Sequence, residues 1–408
     1  LMPLSDDVKA RVSLRGVVEA VARPVPRLSQ PGRGEFWFYC PLHGGDSFHV
    51  SERPGELGRW YCHGCQRGGS VIDFVMAADG VSFADAVRRL AAEHGIAAEA
   101  PAGGMAAATE RWRVARSARA EAEEQAARHA EGGVAQARAI WAQAKRGWPL
   151  RDGRELLTAY LAARTGGQDG MPPPPESLRV AELPAKCGHR GPAMVAAVGR
   201  GRLVGVHRTW ITPEGRAVSR GEKVAKQMLG PCFGHPVRLT PAASDSVLVV
   251  GEGIETTLAV TWALRQAIAA GCRLPAWLGV PWSERWPERV SAEAALSLGA
   301  LAGPATGRDP ASGRPVPSPV PDMSAEGRRA GWLPPQAHRG PVIVLADPSA
   351  KAPVAAAMQA TRAVAKIRAS RPDLDVALAI PRESFAHAED FADLAASGRL
   401  HWGAEAGA

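Results

Sequence analysis

No apolar run in the 408-residue sequence approaches the roughly 20 residues needed to span a bilayer, which points away from a helical membrane protein. Cysteine is scarce: there are six, and Cys187, Cys232 and Cys272 are scattered without ligand spacing, as small apolar residues would be. The start, Leu1 to Asp7, has neither a basic n-region nor an apolar h-region, so a cytoplasmic chain without a disulfide framework is expected. No Gly-x4-Gly-Lys-Ser/Thr loop occurs, which excludes a P-loop motor, and no serine–histidine or cysteine–histidine nucleophile motif stands out. Glycine and proline, by contrast, are plentiful at 44 and 34, in keeping with loops between two or three packed units.

The net charge of +8 is unevenly spread. Residues 151–245 hold 14 Lys and Arg against 8 Asp and Glu, whereas residues 246–408 hold 16 of each. A basic excess just ahead of an acidic site suits a polyanion held beside a metal, although a solvated surface has the same composition.

The other three cysteines are clustered. Phe36-Trp-Phe-Tyr-Cys40-Pro-Leu-His43 and Trp60-Tyr-Cys62-His-Gly-Cys65 each read as a strand running into a tight knuckle that supplies two ligands. Three thiolates and one imidazole (Cys40, His43, Cys62, Cys65) make a closed tetrahedral zinc site, structural because no coordination position stays open. His49 and His63 are weaker ligand candidates than His43. Trp37, Phe48, Trp60 and Tyr61 could stack on single-stranded bases or pack around the metal site.

Beyond a Gly/Pro/Ala-rich stretch at 97–109, residues 110–146 read as a helical arm with a break at Gly132-Gly133. A helix near Glu155–Arg164 and a Pro172–Pro175 spacer follow, then a hairpin formed by 193–198 and 202–210 around Gly199-Arg-Gly201. Arg208, Lys223 and Lys226 are the candidate phosphate contacts of this basic region.

Val247-Leu-Val-Val250 reads as a buried parallel strand, and Gly251-Glu-Gly253 turns it into a helix. That places Glu252 at the carboxyl end of a strand, where open α/β sheets bind ligands, with Glu255 one helical turn on. Pro275–Val280 reads as a second strand, 281–340 as an insertion with one helix near Ala292–Leu301, and Pro341–Asp347 as a strand ending in an acid. A long helix over Val354–Ser370 and a strand at Val376–Ile380 continue the βα alternation.

Several of these stretches resemble DnaG-type DNA primases, in the form carried by phages, plasmids and other mobile elements. Cys40-Pro-Leu-His43, Ser47-Phe-His-Val50, Cys62-His-Gly-Cys65 and the glycine turn before Ile72-Asp-Phe74 follow the order of the family's N-terminal zinc-binding domain, over about residues 36–95. Gly205-Val-His-Arg-Thr209 and the lysine-bearing segment ending at Leu229-Gly230 are similar to its basic subdomain. Gly251-Glu-Gly-Ile-Glu-Thr256 resembles the glutamate motif of Toprim domains, and Glu389-Asp-Phe-Ala-Asp-Leu394 the motif that closes them.

The resemblance implies an α+β and α/β multidomain chain: a zinc-ribbon-like domain at 1–98, a helical linker at 99–150, a mixed α+β basic subdomain at 151–245, and a Toprim parallel-sheet domain at 246–408 carrying the insertion at about 281–340. It implies a primase, a nucleotidyltransferase making RNA primers from ribonucleoside triphosphates on single-stranded DNA. Glu252 and Asp347 would be catalytic, and with Asp390 and Asp393 would hold Mg2+ or Mn2+. A structural Zn2+, a separately encoded replicative helicase and a place at the bacterial nucleoid follow from the same likeness. One position departs from the family: Asp347-Pro-Ser349 stands where Toprim domains carry Asp-x-Asp. Ser349 is a poor magnesium anchor, which leaves open a single-stranded DNA-binding replication protein with weakened catalysis. A Toprim nuclease is the third possibility, and the zinc motif argues against it.

Overall fold

A computed structural model describes residues 4–42, 46–62, 67–96, 124, 127–128, 130–144, 153–167, 172–185, 190–220, 223–270, 289–303, 318–324, 327, 330–346, 353–381, 391–397 and 400. These divide into two compact units, one up to residue 128 and one from residue 130 onward.

In the first unit, α1 (Leu4–Arg11) and α2 (Leu14–Glu19) precede an antiparallel sheet of β1 (Glu35–Phe38), β2 (Phe48–Ser51), β3 (Arg59–Cys62) and β4 (Arg67–Gly69), in that order. Then come α3 (Val71–Asp79) and α4 (Phe83–Glu93). Alternation along the strands sends Phe36, Phe38, Phe48, Val50 and Trp60 inward. Phe48 stacks on Trp60 with ring centroids 5.1 Å apart, and Phe74 of α3 meets both rings edge-on. Ser70 and Asp73 form a capping box at the start of α3, and Ser82 caps α4. The Glu52 carboxylate accepts from the backbone N–H groups of Leu14 and Arg15 at 3.0 and 3.1 Å, tying the first turn of α2 to the end of β2.

The second unit begins with α5 (residues 130–143) and α6 (Gly153–Thr165). Then come β5 (Leu178–Pro184), β6 (Arg190–Val198), β7 (Gly205–Trp210), a short ribbon of β8 (Ser219–Arg220) and β9 (Lys223–Val224), β10 (Lys226–Leu229) and β11 (Val237–Arg238). The α/β part follows as β12 (Val247–Gly251), α7 (Ile254–Ala269), β13 (Val290–Ala294), α8 (Leu298–Ala302), β14 (Val342–Leu345), α9 (Pro353–Ser370), β15 (Val376–Ala379) and α10 (Phe391–Ala396). One nine-stranded sheet runs β10-β7-β6-β11-β13-β12-β14-β15, with β5 also paired to β6. β13, β12, β14 and β15 are parallel, while β11 joins them antiparallel and links them to β6. The chain on either side of residue 245 therefore shares one sheet.

All five residues of β12 are buried. Val247 and Val249 pack with Val260 and Leu264 of α7, while Leu248 and Val250 pack with Ala360, Ala363 and Ile367 of α9. Two covered faces explain the unbroken apolar run.

Two expectations need correction. Residues 290–294 are a strand, and the helix is confined to Leu298–Ala302, where a single helix was expected over Ala292–Leu301. Alanines favour helix locally, but β12 pairs with all five residues and β11 with the last two, and tertiary pairing wins. Gly132 and Gly133 lie inside the continuous α5 and break nothing. A Cβ on Gly133 would come within 3.2 Å of the Gly230 Cα, so glycine there permits close packing instead. The strand expected at Pro275–Val280 lies outside the described residues.

Candidate metal and nucleotide sites

In the first unit, Cys40 lies two residues past β1 and Cys62 ends β3; they are 2% and 0% exposed. The Leu42 N–H points to the Cys40 Sγ at 3.4 Å, and the Ser47 hydroxyl lies 3.8 Å from the Cys62 Sγ. Buried thiols with polar donors close to sulfur fit thiolate ligands to zinc. His43 and Cys65 lie outside the described residues, and among the described residues no three metal-binding side chains converge.

The four aromatic candidates separate cleanly. Phe48 and Trp60 belong to the core. Trp37 and Tyr61 are on the opposite face of the sheet, in one row with His49 between them: Trp37 pairs with His49, and His49 with Tyr61. Trp37 and His49 rings are 4.8 Å apart, and His49 also bonds Glu35, which accepts from Ser51 and Arg53 as well. Tyr61 is 41% exposed.

In the second unit the four parallel strands run 2-1-3-4 in chain order, so the chain leaves β12 toward one edge and β14 toward the other, and the carboxyl end of β12 lies at the switch point where open α/β sheets form their ligand crevice. Glu252 stands there, directly after β12. Its carbonyl accepts from Leu296 N at 2.9 Å, and that of Gly251 from Ala295 N at 2.8 Å, which fastens the turn after β12 to the turn after β13. Leu296 has φ +68°, the single positive φ outside glycine among the described residues, so strain is held at this crevice.

A polar cluster that sequence reasoning missed lies one helical turn on. Glu255 of α7 is 5% exposed; it accepts from the Tyr160 hydroxyl of α6 at 2.6 Å and pairs with the Lys226 ammonium of β10 at 3.6 Å. Burial pushes the Glu255 carboxyl up, but Lys226, the Tyr160 hydroxyl, a backbone donor and His207 outweigh it and hold it at about 2. His207 of β7 is pushed down to about 4, by burial first and then by Lys226, and its Nδ1 has no hydrogen-bond partner. The one sequence signal for this cluster was the spacing of Glu252 and Glu255.

The phosphate candidates do not converge. Register puts Lys226 opposite Thr209, on the His207 face, while Arg208 points to the other face with Trp210. Arg208 is half-buried, its guanidinium 5.5 Å from the Trp210 ring and its Nε unpartnered. Lys223 starts β9. Asp393, in the first turn of α10, pairs with Arg164 of α6 at 3.6 Å. Asp347, Ser349 and Asp390 lie outside the described residues. Cys232 packs as a small apolar residue; burial pushes its thiol up to about 12.

Comparison with known proteins bears on both units. Residues 3–104 match the CHC2 zinc finger, the zinc ribbon of DnaG. The first unit is thus similar to a zinc finger of primase type. Residues 131–239 match a domain of unknown function, DUF7146. The chain is 39% identical over 101 residues to the DNA primase of Streptomyces coelicolor, 38% over 79 to that of Deinococcus radiodurans and 35% over 80 to that of Geobacillus stearothermophilus. Those alignments cover 24%, 19% and 20% of this chain, and only 15%, 13% and 13% of the relatives' own length. The zinc-binding and RNA polymerase domains of the Aquifex aeolicus primase align over 98% of this chain and 83% of that one, with 14% identity and a TM-score of 0.28, too low to carry an argument. No described helix is long and apolar enough to cross a membrane.

Proposed function

We propose that this chain is a DNA primase of mobile-element type, making short RNA primers on single-stranded DNA by metal-dependent nucleotidyl transfer. The observation that carries it is Glu252 at the switch point of a parallel sheet, on the same chain as a primase-type zinc finger. The second half of the sheet is then a Toprim domain, with Glu252 and Asp347 as catalytic metal ligands and Asp390 and Asp393 as supporting acids. Hard carboxylates at a strand end suit Mg2+ or Mn2+, which would supply charge neutralisation at the triphosphate.

The chain's own groups divide the remaining work. Glu255, one helical turn past Glu252, pairs with the Lys226 ammonium, and Lys226 is assigned to the triphosphate. Arg208 and Lys223 are assigned to template phosphates; Arg208 cannot share the phosphate of Lys226, since it faces the other side of the sheet. Trp37 and Tyr61, rather than Phe48 and Trp60, are the residues able to stack on template bases. A separately encoded helicase and a nucleoid location belong to the same proposal.

Ser349 favours one second reading, a single-stranded DNA-binding replication protein with weakened catalysis. Magnesium-dependent incorporation of labelled ribonucleotides on varied single-stranded templates separates the two. Primers from the wild type and none from Glu252→Gln support the primase. Absence of product from the wild type, with product gained in Ser349→Asp, supports the weakened form. Strand cleavage without synthesis would identify a nuclease and overturn both.

A further inference from the structure

Glu293 is a carboxylate set inside a buried strand. It is the fourth residue of β13, 5% exposed, and pairs with Val250 of β12 in register. Ala292 and Ala294 turn to the opposite face, which leaves Glu293 on the side of the core that contains Trp332. A charge in such a place costs free energy unless its oxygens are met by donors. Two groups meet them. The Arg200 guanidinium, from the β6–β7 turn, donates through Nε at 3.0 Å and through Nη2 at 2.5 Å. The Trp332 indole N–H donates to the same carboxylate at 2.7 Å. These partners lie 93 and 39 residues from Glu293 in the chain. Arg200 also donates to the Leu333 carbonyl at 2.7 Å, and its guanidinium is 5.4 Å from the Trp332 ring.

Trp332 is fully buried, and it grips the far side of the turn after β13 as well. Its backbone N–H donates to the Ala300 carbonyl of α8 at 2.7 Å, and Ser297 caps the same helix. The indole therefore holds residue 293 and the backbone holds residue 300, one on each side of Ala295-Leu296-Ser297. That turn carries the positive φ of Leu296, and the N–H groups of Ala295 and Leu296 hold the carbonyls of Gly251 and Glu252. A strained backbone persists only where its surroundings over-determine it. We infer that Glu293, clamped by Arg200 and Trp332, is a positioning residue for Glu252: it fixes the turn against which the Glu252 backbone is set. The inference rests on the reading of Glu252 as a metal ligand. It makes the segment returning from the 281–340 insertion, through Trp332, part of what supports the site.

The test uses the zinc-loaded full chain and two near-isosteric variants, Glu293→Gln and Trp332→Phe, beside Glu252→Gln. Hydrogen exchange at the Ala295 and Leu296 amides reads the turn, Mn2+ titration reads the metal site, and urea midpoints report the fold. Exchange at both amides should quicken in Glu293→Gln and in Trp332→Phe, with the amides of β15 unchanged. Each variant should bind Mn2+ about tenfold more weakly, the low end for partners that orient metal ligands. Arg200→Lys, which keeps the charge but loses the fork, should fall between these variants and wild type. Unchanged exchange at both amides overturns the clamp. Quickened exchange with wild-type Mn2+ affinity, where Glu252→Gln weakens it, leaves Glu252 as a ligand and overturns its positioning by Glu293. Mn2+ binding that Glu252→Gln does not weaken removes the metal reading, and the inference falls with it. If one variant lacks a cooperative urea transition the other decides; loss of the transition in both makes the clamp a folding requirement and overturns the inference.

Discussion

Glu255 shows how a single carboxylate can bind three elements together. Tyr160 of α6, Lys226 of β10 and His207 of β7 all face it, and they are the titratable groups around it. The stability they contribute depends on pH, with a definite sign. Glu255 is held at about 2, below the ordinary value of 4.5, so its contribution is complete above that value and is lost as pH falls toward 2. His207 is held at about 4, below 6.5, so it also favours the fold at neutral pH and begins to oppose it as pH falls from 6.5 to 4. Urea midpoints should therefore decline from about pH 6.5 downward, and the steep fall below pH 4.5 should be missing in Glu255→Gln. A flat wild-type profile between pH 6.5 and 3 would contradict this arrangement. Residue types alone did not reveal the cluster: Tyr160 and Glu255 are 95 residues apart, and only the packing of α6 on α7 brings them together.

At the scale of elements, β12 and α7 were readable because four consecutive apolar residues followed by Gly-Glu-Gly have few other uses. β13 was not, since Val-Ser-Ala-Glu-Ala has weak strand propensity and takes its conformation from two neighbours in the sheet. The β6–β7 hairpin was legible from Gly199-Arg-Gly201, where Gly199 and Gly201 have φ of +128° and +76°. Gly251 is less obvious from sequence, yet a Cβ there would sit 2.7 Å from the Thr257 Oγ1 and 3.2 Å from the Leu345 Cδ1. Gly251→Val should cost about 1–3 kcal/mol by overpacking the base of the Glu252 turn. A urea midpoint equal to wild type would show that the turn has room the geometry denies.

Across the whole molecule, the two units have different supports. The second has apolar cores on both faces of a large sheet, whereas the first is small and includes the buried thiols of Cys40 and Cys62. Metal-binding free energy in such a unit is folding free energy. Chelation of zinc should melt the first unit while leaving the thermal transition of the second in place, followed by hydrogen exchange of residues 35–93 against 247–379. Equal loss of protection in both ranges would contradict independent support. The burial of Cys40 and Cys62 at or just past strand ends fits what their spacing led one to expect, while the two sides of the first unit's sheet were not legible, because Trp37 and Trp60 look alike until strand register assigns them to opposite faces.

On the proposed function, the sheet presents Glu252 as a metal-binding carboxylate at its switch point. Titration of the zinc-loaded protein with Mn2+, read by loss of the free-ion paramagnetic resonance signal, addresses it without relying on turnover. Wild type should take up Mn2+ at a site that Mg2+ competes for, and Glu252→Gln should weaken that site by roughly tenfold or more. Equal Mn2+ uptake by the two proteins would place the metal elsewhere and remove Glu252 from the reacting centre.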